Sequence, residues 1–266
     1  MSAIQSLNRE EYDALAAINW SRLKAMAVSP RHYQHALTAP RVETDAMRLG
    51  TATHCAVFEP DEFPRRFVLW DGGRRRYGKE WNAFQEQHAN EVILREDDYT
   101  TALAIRDAVR AHPVARQYMD IGAAEQVLTW TDSATGLDLK GRTDWVSGDP
   151  AAVVDLKTTA KGIGPREFAI TVARSLYHGQ MAYYRAGVKA ATGRDASAIL
   201  IAVENAAPYD CAVYELDDDC LYAGEKLVAG LLAQLAECQR VNRWPGQSER
   251  LEFLALLAWA FPREEN

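Results

Sequence analysis

Lys140–Thr159, KGRTDWVSGDPAAVVDLKTT, is the stretch whose reading decides the fold. It reads as two strands joined by a turn at Gly148-Asp149-Pro150. Side chains of a strand alternate between faces, so Asp155 and Lys157 project to one side and Leu156 to the other. Val153, Val154 and Leu156 are apolar, which places a carboxylate and an ammonium on an otherwise buried strand. Such charges are costly to bury unless they pair or bind a metal. Asp144 lies near the end of the first strand with ten residues between it and Asp155. A hairpin of that size brings both carboxylates within reach of one hard cation. Aspartate oxygens, a backbone carbonyl and waters suit Mg²⁺ or Mn²⁺. Lys157, on the same face, can orient the attacking water and help deprotonate it, while Mg²⁺ lowers the pKa of that water and offsets transition-state charge. These are the requirements of phosphodiester hydrolysis. The bare spacing D-x(10)-D-x-K is not specific by itself, and a structural Asp–Lys pair is the alternative.

Working outward, residues 8–38 read as helical, with Asn19 or Ser21 as a cap and Ser29-Pro30 separating two helices. Met47–Phe58 (MRLGTATHCAVF) reads as a helix of small and apolar residues with His54 in its middle. On such a helix a lone histidine is more often a hydrogen-bonded core residue than a ligand. Residues 59–81 read as a loop in which Arg65, Arg66, Arg74, Arg75, Arg76 and Lys79 are interleaved with Trp70, Tyr77 and Trp81. That mixture suits phosphates and stacked bases; a solvated loop with docked aromatics is the alternative. Glu80–Asn90 and Tyr99–Met119 read as helices. Ala124–Thr131, Leu137–Val146 and Ala152–Thr158 read as an antiparallel meander of three strands joined by short turns. Pro165–Arg174 and Tyr177–Ala191 follow as helices, the second ended by Gly193 and carrying Gln180 and Tyr184 on one face. Ser197–Glu204 and Asp210–Leu216 are strands. The run Asp217-Asp218-Asp219 caps a long helix reaching about Asn242. The tail segment LEFLALLAWAF is apolar enough to cover the core or a neighbour.

With 266 residues, 48% hydrophobic and 25% charged, the chain has the composition of a globular protein with one sizeable core. No apolar run approaches the ~20 residues that span a bilayer. The polar, acidic N-terminus is no signal peptide, so the expected location is the cytoplasm. Cys55, Cys211, Cys220 and Cys238 form no CxxC pair, which argues against an iron–sulfur cluster, a structural zinc site or a disulfide framework. The net charge of −7 argues against coating nucleic acid with the whole surface but not against a local basic groove.

Several motifs in order resemble the PD-(D/E)XK nuclease superfamily, and within it the exodeoxyribonuclease VIII (RecE-type) nuclease domain of phage and prophage recombination systems. WSRLKAMAVSPRHYQHAL resembles its N-terminal helical signature and LGTATHCAVFEP its next motif, which carries His54. AEQVLTW supplies Glu125, GRTDWV supplies Asp144, VVDLKTT supplies Asp155 and Lys157, and GQMAYY supplies Gln180 and Tyr184. The resemblance covers about Trp20 to Glu204. It implies an α/β fold with a restriction-endonuclease-like core, a mixed central sheet containing the antiparallel meander, flanked by helices and extended by helices at both termini. One domain over 1–266 is expected, with a helical part to about 120, the catalytic sheet and helices over about 121–216, and C-terminal helices beyond. The resemblance implies a metal held by His54, Asp144, Asp155 and the Leu156 carbonyl, with Glu125 close by, through water or at a second metal. The metal is Mg²⁺, with Mn²⁺ as a substitute. Lys157 positions the water, and Gln180 and Tyr184 contact DNA, with Arg74, Arg75, Arg76 and Lys79 as further DNA-binding candidates.

The activity implied is a DNA exonuclease working 5′ to 3′ on linear duplex, leaving 3′ tails for recombination by strand annealing. Its partners are DNA, a single-strand annealing protein and further copies of the chain, a ring being one arrangement. The alternatives are an endonuclease or single-strand nuclease of the same fold, and a non-catalytic DNA-binding module. Polarity, processivity and oligomer number are not fixed by the sequence.

Overall fold

The computed structural model describes residues 2–40, 44–73, 75–256 and 260. Strand β1 (Ala3–Gln5) precedes three short helices, each started by a side-chain cap. Asn8 and Glu11 form a capping box on α1 (Arg9–Ala14), and Asn19 rather than Ser21 caps α2 (Trp20–Leu23). A 3-10 turn at Lys24–Ala27 leads to α3 (Pro30–Thr38), which begins at Ser29 with Pro30 in its first turn. Thr44 caps α4 (Asp45–Phe58). The stretch expected as a loop over 59–81 contains α5 (Phe63–Arg66) and β2 (Phe67–Leu69). Phe63 and Phe67 are buried against Ala52, Cys55 and Ala56 of α4, which pulls that segment onto the helix. Next come α6 (Lys79–Gln87), β3 (Val92–Leu94), α7 (Glu96–Ala111) and α8 (Pro113–Met119). The helix read over 99–119 is divided at His112-Pro113, where the sequence carries its interruption.

The second half of the chain follows as β4 (Gly122–Ala124), β5 (Val127–Thr131), β6 (Asp138–Arg142), β7 (Trp145–Gly148) and β8 (Ala151–Thr159). Then come α9 (Pro165–Ser175), α10 (Tyr177–Thr192), β9 (Ser197–Glu204), β10 (Cys211–Glu215) and α11 (Asp218–Val241). Asp217 accepts from the Cys220 N–H as the α11 cap, as the acidic run implies. The main sheet has the order β10-β9-β8-β7-β4, parallel only between β8 and β9, which α9 and α10 connect. A second sheet, β1-β5-β6, is antiparallel, and β2 and β3 form a small parallel pair.

The meander is antiparallel as expected, but two of its strands change sheet midway. The strand expected over 124–131 leaves the main sheet as β4 and enters the second as β5; the strand over 137–146 does the reverse as β6 and β7. The two breaks face each other. The Glu125 N–H donates to the Asp144 carbonyl and the Thr143 N–H to the Gln126 carbonyl, both at 3.0 Å. Glu125 takes a left-handed φ of 52°, which costs a non-glycine residue about 1 kcal/mol. Glu125 and Asp144 therefore sit where the sheets part and side chains have room to converge.

Alternation along β8 and β9 fills the two sides of the main sheet. Ala152, Val154, Leu156, Ile199, Ile201 and Val203 pack against α4, α7 and α8. Val153, Ala198, Leu200 and Ala202 pack with α2, α10 and α11. Helices α10 and α11 cross closely at Gly179 and Gly224. A Cβ on Gly224 would lie 2.3 Å from the His178 carbonyl oxygen, a backbone atom that cannot give way. Gly224→Ala is therefore expected to destabilise the fold by about 1–3 kcal/mol through forced separation of the helices, read as a lower denaturation midpoint at unchanged m. Of the apolar tail, Leu251–Leu256 has no regular secondary structure and is exposed, and the rest except Ala260 lies outside the described residues. Among the described residues no helix is long and apolar enough to cross a membrane.

Candidate active site

The register of β7 with β8 pairs Trp145 with Val154, and its continuation sets Asp144 opposite Asp155. The two carboxylates expected on the hairpin are neighbours. Asp144 Oδ2 accepts from the Leu156 N–H at 2.9 Å, so one oxygen is fixed by the strand backbone. Its other oxygen, Oδ1, lies 3.1 Å from His54 Nδ1. His54 reaches across from α4, ninety residues earlier in the chain.

Lys157 follows Asp155 on the same face, and α10 closes over both. Lys157 Nζ donates to Gln180 Oε1 at 2.9 Å and forms an ion pair with Asp155 Oδ2 at 2.5 Å. Gln180 Nε2 donates to Asp155 Oδ1 at 3.0 Å. Gln180 thus braces both charged groups, using each end of its amide. Tyr184, one turn on, is buried with its hydroxyl 3.4 Å from Gln180 Nε2. Tyr177 lies under the ammonium, its ring centroid 4.2 Å from Lys157 Nζ.

Burial of Asp155 and the nearby Asp144 charge push the Asp155 carboxyl up to about 6, against the opposing pull of Lys157. Burial alone would raise Asp144 too, but His54 and the Leu156 N–H hold it below its ordinary value. Burial would depress His54 and Lys157, and the two aspartates outweigh it in both, so each stands above its ordinary value and Lys157 is held as the ammonium. Lys157 is therefore suited to donating to a phosphate or water oxygen rather than to removing a proton.

Glu125 ion-pairs with Arg142 of β6 instead of joining His54 and Asp144 directly. Burial raises its carboxyl pKa, Arg142 opposes this, and the charges of Asp144 and His54 also reach it. Arg142 is a member of the site that the motif reading passed over, although it stands two residues before Asp144 in GRTD. Burial, and after it the Lys157 charge, lower the pKa of Lys24 in the N-terminal helical signature.

The donor set fits a small divalent cation. Two ligands at right angles, each about 2.1 Å from such an ion, stand about 3 Å apart, and His54 Nδ1 and Asp144 Oδ1 are separated by 3.1 Å. Asp155 Oδ2 is buried with the Lys157 ammonium against it, a place a cation could take over. The set is not preassembled. Both Asp155 oxygens are engaged by Lys157 and Gln180, and among the described residues no three His, Cys, Asp or Glu groups form a ready cluster.

A consequence follows for stability. A carboxyl raised in the folded state stabilises the fold while protonated, below its unfolded value near 4. That contribution is lost as pH rises through about 6. At pH 7 the metal-free fold therefore carries the Asp155 charge as a burden, which a bound cation relieves. Thermal denaturation at pH 7 is expected to show a higher Tm in Mg²⁺ or Mn²⁺ than in EDTA, with the difference shrinking below pH 6. An equal Tm in metal and EDTA at pH 7 would contradict the fit.

The other expected DNA contacts lie between β2 and α6. Arg75 is over the Tyr77 ring at 5.7 Å and Arg76 over the Trp81 ring at 5.4 Å. Lys79 is exposed at the start of α6, and Arg74 lies outside the described residues.

Residues 19–256 match the family model described as a PDDEXK-like domain of unknown function (DUF3799). The chain belongs to this PDDEXK-like family. The superfamily resemblance carried by Asp144, Asp155 and Lys157 is thereby borne out. The crystal structure of a protein from Eubacterium rectale, described as a "Putative exonuclease", matches with a TM-score of 0.66. The match covers 95% of this chain and 97% of that one at 15% identity. At that identity the likeness shows a shared fold alone. An alkaline exonuclease from Laribacter hongkongensis matches at a TM-score of 0.33 and 16% identity, over 88% of this chain and 96% of that one, too distantly to inform the fold. None of the curated proteins matches the sequence.

Proposed function

We propose that this PDDEXK-like chain is a divalent-metal-dependent deoxyribonuclease that degrades linear duplex DNA from its ends, 5′ to 3′, and leaves 3′ single strands for annealing. The observation that carries the reading is the meeting of His54 from α4, Asp144 from the break between β6 and β7, and Asp155 and Lys157 from β8, with Gln180 from α10. Two carboxylates and an ammonium on one hairpin, met by an imidazole from α4, are what phosphodiester hydrolysis needs and more than a structural ion pair needs.

His54, Asp144, Asp155 and the Leu156 carbonyl would hold the ion, Mg²⁺ or in its place Mn²⁺, with Glu125 close by. When bound, the ion lowers the pKa of a water and offsets charge on the phosphoryl group. Lys157, held as the ammonium by two aspartates, orients the attacking water and donates to the non-bridging phosphate oxygen as charge develops. Gln180 keeps Lys157 and Asp155 in register, and Tyr184 limits the freedom of Gln180. Arg75, Arg76 and Lys79 hold the DNA backbone away from the reacting bond. Working on DNA ends with an annealing protein, as a homo-oligomer in which basic side chains gather, reconciles the activity with a net charge of −7.

Linear and covalently closed circular duplexes, each incubated with Mg²⁺ or EDTA, test this. Loss of the linear DNA alone, only in Mg²⁺, is expected. Cleavage of closed circles would convert the assignment to an endonuclease. Failure to degrade any DNA in Mg²⁺ or Mn²⁺ would overturn the nuclease reading.

A further inference from the structure

Lys157 has a further partner besides Asp155 and Gln180. An ammonium carries three N–H groups and no acceptor. Asp155 Oδ2 and Gln180 Oε1 engage it at 2.5 and 2.9 Å. The Tyr177 ring adds a contact of a different kind, its centroid 4.2 Å from Nζ. The face of an aromatic ring is negative and attracts a cation within about 6 Å of its centroid. Tyr177 is half-buried and packs against the core, so its ring has support behind it.

The chain fixes this tyrosine at the joint between α9 and α10. Leu176 links the two helices in a left-handed conformation, φ 58° and ψ 35°. That conformation costs a non-glycine residue about 1 kcal/mol, and it persists where the surroundings over-determine it. Leu176 packs against the core, and its carbonyl accepts from the Gln180 N–H at 3.1 Å. Tyr177 and Gln180 then stand three residues apart in the first turn of α10, on one face of the helix. Both reach Lys157. Gly179, between them, lies close against α2 and α11: a Cβ there would stand 2.5 Å from the Trp20 ring and 2.9 Å from Leu227 Cδ2. The turn that carries Tyr177 and Gln180 is therefore wedged in place.

We propose that Tyr177 is a positioning residue for Lys157, its ring holding the ammonium at the site when Asp155 turns to a cation. The assignment rests on the nuclease reading above. Asp155 Oδ2 is the charged partner of Lys157 and also a candidate ligand. A carboxylate that ligates a cation gives up much of its attraction for an ammonium, and a lysine head group is free to swing on its flexible stem. An aromatic face is no ligand for a hard cation, which takes oxygen, so the ring stays with the ammonium. Gln180 Oε1 supplies the second fixed point. Together they keep the ammonium beside Asp155, where it meets the water and the phosphate oxygen.

Two variants separate the ring from its volume. Tyr177→Leu keeps an apolar side chain without a π face, and Tyr177→Phe keeps the ring. In steady-state hydrolysis of a linear duplex, Tyr177→Leu is expected to lower kcat about 3- to 30-fold with KM within about twofold of wild type. Tyr177→Phe is expected to recover kcat to about half the wild-type value or better. The second readout needs no turnover. A ring face this close displaces the Lys157 ε-proton resonance upfield, observed in protein carrying isotope-labelled lysine and assigned by its loss in Lys157→Ala. Wild type and Tyr177→Phe are expected to show the displaced signal in EDTA, and also at a Mg²⁺ concentration that raises the Tm. Tyr177→Leu is expected to lack it in both.

A Tyr177→Leu kcat within about twofold of wild type overturns the proposal, as does a Tyr177→Phe as slow as Tyr177→Leu. Loss of the displaced signal from wild type on adding Mg²⁺ overturns it too, because the ammonium then leaves the ring as the cation arrives. That comparison uses no Tyr177 variant, so it stands even if Tyr177→Leu does not fold. Wild-type protein that hydrolyses DNA without a displaced signal overturns the role of the ring and leaves the nuclease standing. Wild-type protein that shows the signal yet degrades no DNA in Mg²⁺ or Mn²⁺ overturns the nuclease reading, and the positioning role with it.

Discussion

Lys157→Ala is expected to slow hydrolysis of linear duplex by about 10²–10³-fold while the fold persists. The ammonium is held by Asp155 and Gln180 and rests on the Tyr177 ring. Because the aspartates keep it protonated, its loss removes a fixed positive charge from the place where the phosphoryl group gains negative charge. It also leaves Asp155 buried without its partner, which pushes that carboxyl further up and weakens its grip on a cation. Single-turnover hydrolysis of an end-labelled duplex, with far-UV circular dichroism as the check on folding, measures both parts. A rate within twofold of wild type would remove Lys157 from the mechanism.

The second large effect falls on stability. Lys140 of β6 is only 2% exposed, yet its ammonium is satisfied almost entirely by backbone. Nζ donates to the carbonyls of Tyr12 and Leu15 at 2.7 and 2.8 Å, with Asp13 at 3.4 Å, and sits over the Tyr12 ring. These carbonyls lie at the C-terminal end of α1, where Tyr12 also accepts from the Leu15 N–H at 3.3 Å and Leu15 from the Ala17 N–H at 2.8 Å. The neighbouring backbone is joined too: the Lys140 N–H donates to the Ile18 carbonyl at 2.7 Å, and the Tyr183 hydroxyl donates to the same carbonyl at 2.6 Å. Lys140→Ala strips the carbonyls of their charged donor and opens a cavity. A loss of about 3 kcal/mol is expected, seen in chemical denaturation. Lys140→Met, which keeps the stem and loses the donors, is expected to lose nearly as much. A loss below about 0.5 kcal/mol in both would show that water replaces the ammonium at no cost.

The sequence carried some of this plainly. Alternation puts Asp155 and Lys157 together because a strand permits nothing else, and a short turn sets Asp144 opposite Asp155. The helix starts at Asn19, Ser29 and Asp217 were visible because short polar side chains before a helical run have one favourable use. Other parts depend on contacts distant in sequence. Nothing local marks Glu125 as left-handed, since its conformation is held by the Asp144 carbonyl on another strand and by the change of sheet. For the same reason Lys140 reads as an ordinary strand lysine. His54 looks like a core histidine on its own helix and enters the site only by motif resemblance. Strands β2 and β3, three residues each, are too short for a periodic signal.

His54, Asp144 and Asp155 are expected to form one divalent-cation site that drives DNA hydrolysis. The concentration of Mn²⁺ that half-activates hydrolysis of a linear duplex, compared between wild type and His54→Ala, tests it most directly. Wild-type hydrolysis is expected to depend wholly on the cation and to saturate. His54→Ala is expected to need at least about tenfold more Mn²⁺ or to remain inactive. Hydrolysis by wild type in EDTA, or an unchanged half-activating concentration in His54→Ala, would contradict the account.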